Sequence, residues 1–437
     1  NLLLLLKRFS FESCCCFKLS ICLTIRYDEV FAANKEFINL YLLQTDPGIG
    51  AKDQSNHLVA GSLLSFPHDS WRSIGEQSHL LKRMIRGIVV ETSSTYSQTF
   101  NGCTGVAQLT EEHQSVDNVQ ADFDDYGIPL EIVPRLSCTD PEANRLITSM
   151  MPVILTDTNL ATTALKWDLD YLSKHFGVGD CTVYESDSVT FKYYDDAKVK
   201  EHRLKNISPP TRRREMKMGQ FVERLKNAGQ TKYYLQQAMN ETVGPNIVLD
   251  FLGFNWEWAN RQQKQNGWGP LTSNLLLVAT EGNITPTHYD EQQNFFAQLR
   301  GHKRFLLFSP DQYKCLYPHP VWHPHDRQSQ VDLANRDLDR FPLAAQLHGW
   351  EAILGPGDVL YLPMYWWHQV ESAPHCGYTV SINFWYKTAP ADKVIYPLVG
   401  HQKMAIMRNI EKMLVEALKD VNEVGPLLRT MVLGRYL

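Results

Sequence analysis

The sequence predicts a mainly β fold, an antiparallel sandwich or jelly roll with helices at its flanks. Between about residues 274 and 387, short apolar runs alternate with Gly, Pro and Asp turns, a pattern typical of such folds. The clearest runs are residues 305–308, 351–354, 359–362 and 378–385. After Pro390 the hydrophobic period changes to that of helices. A barrel of this kind can hold a small ligand and a metal ion in its mouth.

We expect three regions along the chain. Residues 1–115 show no steady hydrophobic period and many polar turn residues, so we predict a poorly ordered or wrongly joined extension. Residues 116–390 are predicted to form the β domain with its N-terminal flanking elements, and residues 391–437 a helical C-terminal region.

The first part of the predicted domain alternates helices and strands. Asp140 followed by Pro141 predicts a helix start, because Asp is a favoured N-cap and Pro fits the first turn. Further helices are predicted over 167–176 and 216–228, and strands over 152–156, 188–194 and 233–237. The three arginines at 212–214 predict a solvated loop.

The C-terminal region is predicted to hold two amphipathic helices. Apolar residues recur at helical spacing from Met404 to Leu418, and a second helix is expected over 426–432, after Gly425. Two terminal helices outside a barrel either cap it or join two subunits, and both possibilities stay open at this point.

Composition limits the classes of partner. The chain is 43% hydrophobic and 21% charged, which is ordinary for a globular protein, and its net charge is -5. We therefore expect protein or small-molecule partners, with no direct nucleic acid and no membrane. The nine cysteines form no CxxC pair, which argues against a disulfide framework or a zinc site and favours a reducing compartment.

Three residues have the types and the spacing of a metal site. His288 and Asp290 stand two apart after a strand-like run, so in a strand their side chains leave the same face. His368 completes the set, because Gly357, Pro363 and His368 have the G-x5-P-x4-H spacing of the second motif of cupin barrels. Two His and one carboxylate form the facial triad of non-haem Fe(II) oxygenases. The alternative is that His368 is a core histidine beside two tryptophans.

An oxygenase of this type also needs a cation for the far carboxylate of a chelating 2-oxo acid. Lys303 is the candidate, and the alternative is a surface lysine after the Gly301 turn. Nearby hydroxyl and amide groups of Thr285, Asn294 and Asn383 could bond the same co-substrate.

From about residue 117 to 437 the sequence resembles the factor-inhibiting-HIF family of JmjC-type asparaginyl hydroxylases. The blocks that carry the resemblance are 155–160, 164–169, 250–256, 288–298, 315–318, 326–332 and 363–368. The resemblance implies a double-stranded β-helix dioxygenase that uses Fe(II), 2-oxoglutarate and O₂. It also implies hydroxylation of the Asn β-carbon in the C-terminal transactivation segment of hypoxia-inducible factor alpha and of residues in ankyrin-repeat proteins. Such an enzyme acts as an oxygen sensor of the hypoxia response.

The same resemblance implies a role for individual residues. His288, Asp290 and His368 would hold iron, while Lys303, Tyr234 and Thr285 would bind the distal carboxylate of 2-oxoglutarate. Asn294 and Asn383 would flank the co-substrate. Contacts to the target segment are implied for Tyr193, Gln236, Gln292, Arg327, Gln328 and Trp385. The C-terminal helices, including Leu428, would form a homodimer, and we expect the protein in the cytoplasm and nucleus.

Two rival functions remain. A JmjC histone lysine demethylase is disfavoured by Asp290 in place of Glu, and by the lack of zinc-type cysteine spacing and of a histone-reading module. A catalytically inactive cupin-type binding protein is disfavoured by the intact triad and Lys303.

Overall fold

The computed structural model describes residues 123–227, 229–239, 243–388 and 396–433. Before them it describes only the strands Arg8–Phe9 (β1), Leu19–Arg26 (β2), Phe37–Gln44 (β3) and Ser62–Pro67 (β4). These strands form an antiparallel sheet in that order. By its internal contacts the chain divides into one unit of residues 1–105 with 256–261, and a second unit of the remaining residues. The prediction for residues 1–115 falls mainly outside the described residues and stays a prediction.

The strands of the second unit are β5 (Leu130–Ile132), β6 (Arg135–Ser137), β7 (Val153–Thr156), β8 (Cys181–Ser186), β9 (Arg212–Met216), β10 (Lys232–Ala238), β11 (Leu271–Thr280), β12 (Ile284–Tyr289), β13 (Gln293–Arg300), β14 (Lys303–Phe308), β15 (Gly349–Leu354), β16 (Val359–Leu362), β17 (Trp367–Ser372) and β18 (Tyr378–Tyr386). The α-helices after residue 123 are α1 (Pro141–Thr148), α2 (Leu169–His175), α3 (Asp196–Glu201), α4 (Met218–Lys226), α5 (Pro245–Leu252), α6 (Trp256–Gln265), α7 (Tyr313–Leu316), α8 (Gly400–Leu418) and α9 (Val421–Val432). Short 3-10 helices lie at Thr162–Ala164, Pro310–Gln312 and Pro342–Gln346.

Two sheets of the second unit enclose one apolar core. The larger sheet has the strand order β6-β7-β16-β13-β18-β11-β10-β8-β9, and the smaller sheet has the order β12-β17-β14-β15-β5. Leu277, Phe296 and Leu360 of the larger sheet share a buried cluster with Phe305 and Val370 of the smaller sheet. Because side chains alternate across a strand, each sheet presents one apolar face to the other. The predicted mainly β jelly-roll fold with flanking helices is confirmed.

A tight turn precedes the strand that leads to the candidate site. Gly357 has φ 95°, in the left-handed region that favours glycine. Asp358 closes this turn, since its Oδ2 accepts from the Gly355 N–H at 2.7 Å. The chain then enters β16, leaves it at Pro363 and returns in β17, where His368 is the second residue. The pairing of β17 with β12 then places His368 beside His288.

Several predicted elements are confirmed, with ends that shift by a few residues. The Asp140 side chain accepts from the Glu142 N–H at 2.8 Å and caps α1 as predicted. α9 begins at Val421 and not after Gly425, because the Asp420 side chain caps it by accepting from the Asn422 N–H at 2.9 Å. Gly425 and Pro426 therefore lie inside the helix.

Two local predictions are wrong. The segment 188–194 is not a strand: it forms one isolated parallel bridge, between Thr190 and Ile284. Its ladder ends there because the Tyr193 carbonyl accepts from the side chains of His325 and Gln328, at 2.6 and 2.7 Å. The arginines at 212–214 lie in edge strand β9 and not in a loop, although their side chains are exposed.

The C-terminal helix α8 lies against the β domain through one face. Its Met404 is buried in a cluster with Phe308, Leu316 and Trp367, and its Arg408 is 8% exposed. The opposite face leaves apolar side chains in solvent. In the part of the chain that the structure describes, no helix combines the length and the apolar character needed to span a membrane.

Candidate functional site

The structure brings His288, Asp290 and His368 together at one end of the jelly roll. His288 of β12 is the register partner of His368 of β17, and their ring centroids lie 4.1 Å apart. Asp290 follows directly after β12. One ligand atom from each residue lies within 4.8 Å of the other two, and this is the only such group found among the described residues. The arrangement has the composition of a facial triad.

The hydrogen bonds of both imidazoles suit a metal ligand. His288 Nδ1 lies 2.9 Å from the Pro286 carbonyl, and His368 Nδ1 lies 2.9 Å from the Trp366 carbonyl. Because a carbonyl only accepts, each Nδ1 must carry the proton, which leaves Nε2 with its lone pair free. Outer hydrogen bonds of this kind orient metal-binding histidines. The residues present therefore fit a divalent metal ion.

The charge states agree with that fit. Burial lowers the pKa of His288, and it lowers the pKa of His368 to about 3, so both rings stay neutral. Burial opposes ionisation of Asp290, yet its pKa is lowered, and since both imidazoles are neutral the guanidinium of Arg327 is the positive charge that keeps this carboxylate ionised. Neutral imidazoles and an ionised carboxylate are the forms that bind metal.

A neighbouring segment holds the carboxylate in place. Arg327 Nη1 donates to Asp290 Oδ1 at 3.0 Å. The backbone around Arg327 lies antiparallel to β12: the Tyr289 N–H donates to the Arg327 carbonyl at 3.1 Å, and the Ser329 N–H to the Thr287 carbonyl at 2.9 Å. Arg327, predicted to contact the target, thus also orients a predicted metal ligand.

Lys303 is a buried cation at the start of β14 and not a surface residue. Its residue exposure is 2%, and its Nζ lies 5.5 Å from the Tyr234 ring centroid and 5.4 Å from that of Phe296. Among the described residues no carboxylate lies within ion-pair distance of Nζ, and burial lowers the pKa of Lys303 to about 7. A buried ammonium without a carboxylate partner fits an anionic ligand.

A cavity of about 560 Å³ opens beside the triad. The predicted site residues that line it are Tyr193, Gln236, Arg327, Gln328 and Trp385, and also Tyr234, Thr285, Asn294, Asn383, His288, Asp290 and His368. Lys303 does not line the cavity itself, but its Nζ lies beside the rings of Tyr234 and Phe296, which do. Gln292 does not line the cavity, because its side chain accepts from the Thr272 hydroxyl.

Two polar atoms on the cavity wall are buried without a hydrogen-bond partner among the described residues. They are the Asn294 Oδ1 and the Trp385 Nε1. Burial also raises the pKa of Tyr234 to about 12, so its hydroxyl keeps a proton to donate. Buried polar groups of a native protein are nearly always paired, so these atoms indicate a bound polar molecule.

Sequence reasoning missed a buried ionic cluster around Arg408, described below. No sequence signal indicated it, because Arg408 lies 117 positions from Glu291, its partner beside the triad. In the sequence, Arg408 looks like one more polar residue of the amphipathic helix α8.

Comparison with known proteins identifies the family. Residues 140–392 match the model of the cupin-like domain. Lysine-specific demethylase 8 of Danio rerio is 41% identical over 266 residues, which cover 59% of this chain and 59% of that protein. Jumonji C domain-containing protein 5 of Drosophila melanogaster is 36% identical over 107 residues, 24% of this chain and 25% of that protein. The tRNA wybutosine-synthesizing protein 5 of Gallus gallus is 25% identical over 256 residues, 55% of this chain and 72% of that protein.

These similarities cover only part of each relative and indicate a wide family. The chain covers less than two thirds of the length of the first two relatives. The matches support the JmjC superfamily in general and do not single out the asparaginyl hydroxylases. The chain belongs to the family of cupin-like domain proteins.

Proposed function

We propose that the protein is an Fe(II)- and 2-oxoglutarate-dependent oxygenase that acts on a protein segment. The triad of His288, Asp290 and His368, with both Nε2 atoms free, is the observation that carries this proposal. With Fe(II) and 2-oxoglutarate bound, such a centre supplies the oxidation of a C–H bond by O₂, coupled to conversion of 2-oxoglutarate to succinate and CO₂.

The chain's own residues would bind and orient the co-substrate. Lys303 would face its far carboxylate, with hydrogen bonds from the hydroxyls of Tyr234 and Thr285. The Asn294 amide and the Trp385 N–H have bonding capacity that the described residues do not use. Because Lys303 is buried beside the rings of Tyr234 and Phe296, the ion pair that it forms would gain from the low local dielectric.

For the target we propose an Asn side chain in an extended segment, as in hypoxia-inducible factor alpha and ankyrin-repeat proteins. Gln236 and Gln328 line the cavity and carry carboxamides, which suit a target carboxamide. Gln328 is 3% exposed and its Nε2 donates to the Tyr193 carbonyl, so its position is well defined. A pocket of this kind rejects targets that leave its polar groups unpaired.

Lysine demethylation is the second candidate, and the comparisons favour it over asparagine hydroxylation, because a relative is named lysine-specific demethylase 8. The cavity wall also offers what a methylated ammonium needs. Tyr184, Tyr193 and Tyr194 supply aromatic faces, and Asp195 and Asp196 supply carboxylates.

One experiment separates the candidates. The full chain is incubated with Fe(II), 2-oxoglutarate and either Asn-containing transactivation and ankyrin peptides or methyl-lysine peptides, and the products are analysed by mass spectrometry. Gain of one oxygen atom on Asn supports the first candidate, and loss of a methyl group with release of formaldehyde supports the second. If wild type and Asp290→Ala consume 2-oxoglutarate equally poorly with every peptide, the oxygenase proposal fails and a binding role replaces it.

We further propose a homodimer formed through the C-terminal helices, including Leu428, in the cytoplasm and nucleus. Exposed apolar side chains support the dimer: Ile406, Met407, Ile410 and Met413 on α8, and Met431 on α9. Exposed apolar side chains clustered on terminal helices are typical of an interaction site.

A further inference from the structure

Arg408 is buried and forms an ionic cluster with two carboxylates, of which Asp326 is buried and Glu291 partly exposed. Its Nη1 and Nη2 donate to the two oxygens of Asp326 at 2.5 and 2.6 Å, and its Nε donates to Glu291 Oε1 at 2.8 Å. Arg408 is 8% exposed and Asp326 5% exposed. The fork of a guanidinium matches both partners at once, which a lysine ammonium cannot do.

The first partner belongs to the segment that orients the metal ligand. Asp326 directly precedes Arg327, which bonds Asp290, and Gln328, which forms an antiparallel bridge with His288. A third donor holds Asp326 as well, since Lys198 Nζ of α3 lies 2.6 Å from its Oδ2. Fixing Asp326 therefore fixes the backbone from which Arg327 reaches the triad.

The second partner is the chain neighbour of a triad residue. Glu291 follows Asp290, in the turn between β12 and β13. Arg408 thus holds the metal site from both sides: through Asp326 it positions Arg327, and through Glu291 it holds the turn that carries Asp290.

We propose that Arg408 is a positioning residue of the metal centre, through which helix α8 sets the geometry of Asp290 and Arg327. This inference rests on the proposed function only in taking the triad as a metal site. The buried face of α8 then supports the metal site, which is separate from the proposed role of its exposed face in a homodimer. Groups that bond a metal ligand directly change metal affinity by roughly ten- to a hundredfold when they are removed, and Arg408 acts one contact further out, through Asp326 and Glu291.

The test measures metal binding directly, with Co²⁺ as the probe and the full chain without 2-oxoglutarate. Co²⁺ binding is followed by its visible absorption, which also reports the ligand geometry, at a temperature where circular dichroism shows every variant folded. We expect Arg408→Met to raise the Kd for Co²⁺ by roughly tenfold, the lower end of the range for direct partners of a ligand, and to alter the absorption bands. Arg408→Lys, which keeps the charge but loses the fork, should fall between Arg408→Met and wild type.

Arg135→Met is the matched control. Arg135 also bonds a buried aspartate, with its Nη1 2.5 Å from Asp358 Oδ1, but its partner lies in the turn before β16 and does not line the cavity beside the triad. We expect this variant to leave the Kd for Co²⁺ and the spectrum unchanged.

Three results would overturn the proposal. The first is an unchanged Kd in both Arg408 variants, and the second is a rise in Kd that Arg135→Met reproduces. The third is a wild type that binds no Co²⁺. If Arg408→Met does not fold, the Kd of Arg408→Lys decides. The Co²⁺ measurement needs no turnover. A wild type that binds Co²⁺ but oxidises no peptide would therefore contradict the oxygenase proposal and leave the proposed role of Arg408 untouched.

Discussion

Replacing Lys303 by Met should make the ligand-free protein more stable while it loses its co-substrate. Burial lowers the pKa of Lys303 from 10.5 to about 7. One pKa unit corresponds to about 1.4 kcal/mol, so at pH 7 the buried lysine costs the folded state roughly 4 kcal/mol. Met has a similar length and no charge, so Lys303→Met should recover much of this cost and raise Tm by several degrees.

The sign of the pH dependence follows from the same shift. Between pH of about 7 and about 10.5 the unfolded chain holds the Lys303 proton and the folded chain has lost it. Stability of the wild type should therefore rise with pH across this window, and Lys303→Met should lose that contribution. In the wild type, 2-oxoglutarate should raise Tm because it binds only the folded state, and in the variant it should not.

Thermal unfolding followed by fluorescence, at pH 7 and pH 9, with and without 2-oxoglutarate, checks both effects. Mn(II) replaces Fe(II) to prevent turnover. Lys174→Met, on the exposed face of α2, is the control and should change neither Tm nor its response to 2-oxoglutarate. A Lys303→Met protein that is less stable than wild type at pH 7, yet still gains Tm from 2-oxoglutarate, would refute the reasoning.

Four other substitutions test separate features. Asp290→Ala should abolish Co²⁺ binding and peptide-dependent consumption of 2-oxoglutarate, and an active variant would exclude this centre as the site of reaction. Phe295→Ala removes a fully buried ring that contacts Trp268, and urea unfolding should show a loss of about 3–5 kcal/mol. Asp140→Ala deletes the α1 cap and should cost about 1 kcal/mol by the same measurement, whereas no change would mean that the cap bond contributes nothing. Leu428→Glu should convert the proposed dimer to a monomer in light scattering, and an unchanged mass would place the interface elsewhere.

The elements that follow from local chemistry could be predicted from the sequence. The Asp140 cap depends on residues within a few positions of each other and is present as predicted, and the turn at Gly357 is equally local. Alternation along β12 and the motif spacing before β17 also indicate His288 and His368 as ligands, whereas the approach of the two rings depends on the pairing of β12 with β17. The assignment of the target was finer than these patterns support, since the relatives indicate only the wider superfamily.

Contacts between distant segments were decided only by the tertiary structure. The segment 188–194 has strand composition. The Tyr193 carbonyl accepts hydrogen bonds from the side chains of His325 and Gln328, however, so it cannot pair with a neighbouring strand. Gln292 lies in the turn before β13 and faces Thr272 and not the cavity, because the Thr272 hydroxyl of β11 donates to its side chain. Composition and spacing determined the jelly roll and the three candidate ligands, since these depend on local periodicity. Arg408 reaches Glu291 and Asp326 only because α8 packs against the β domain, and no local pattern in the sequence predicts that packing.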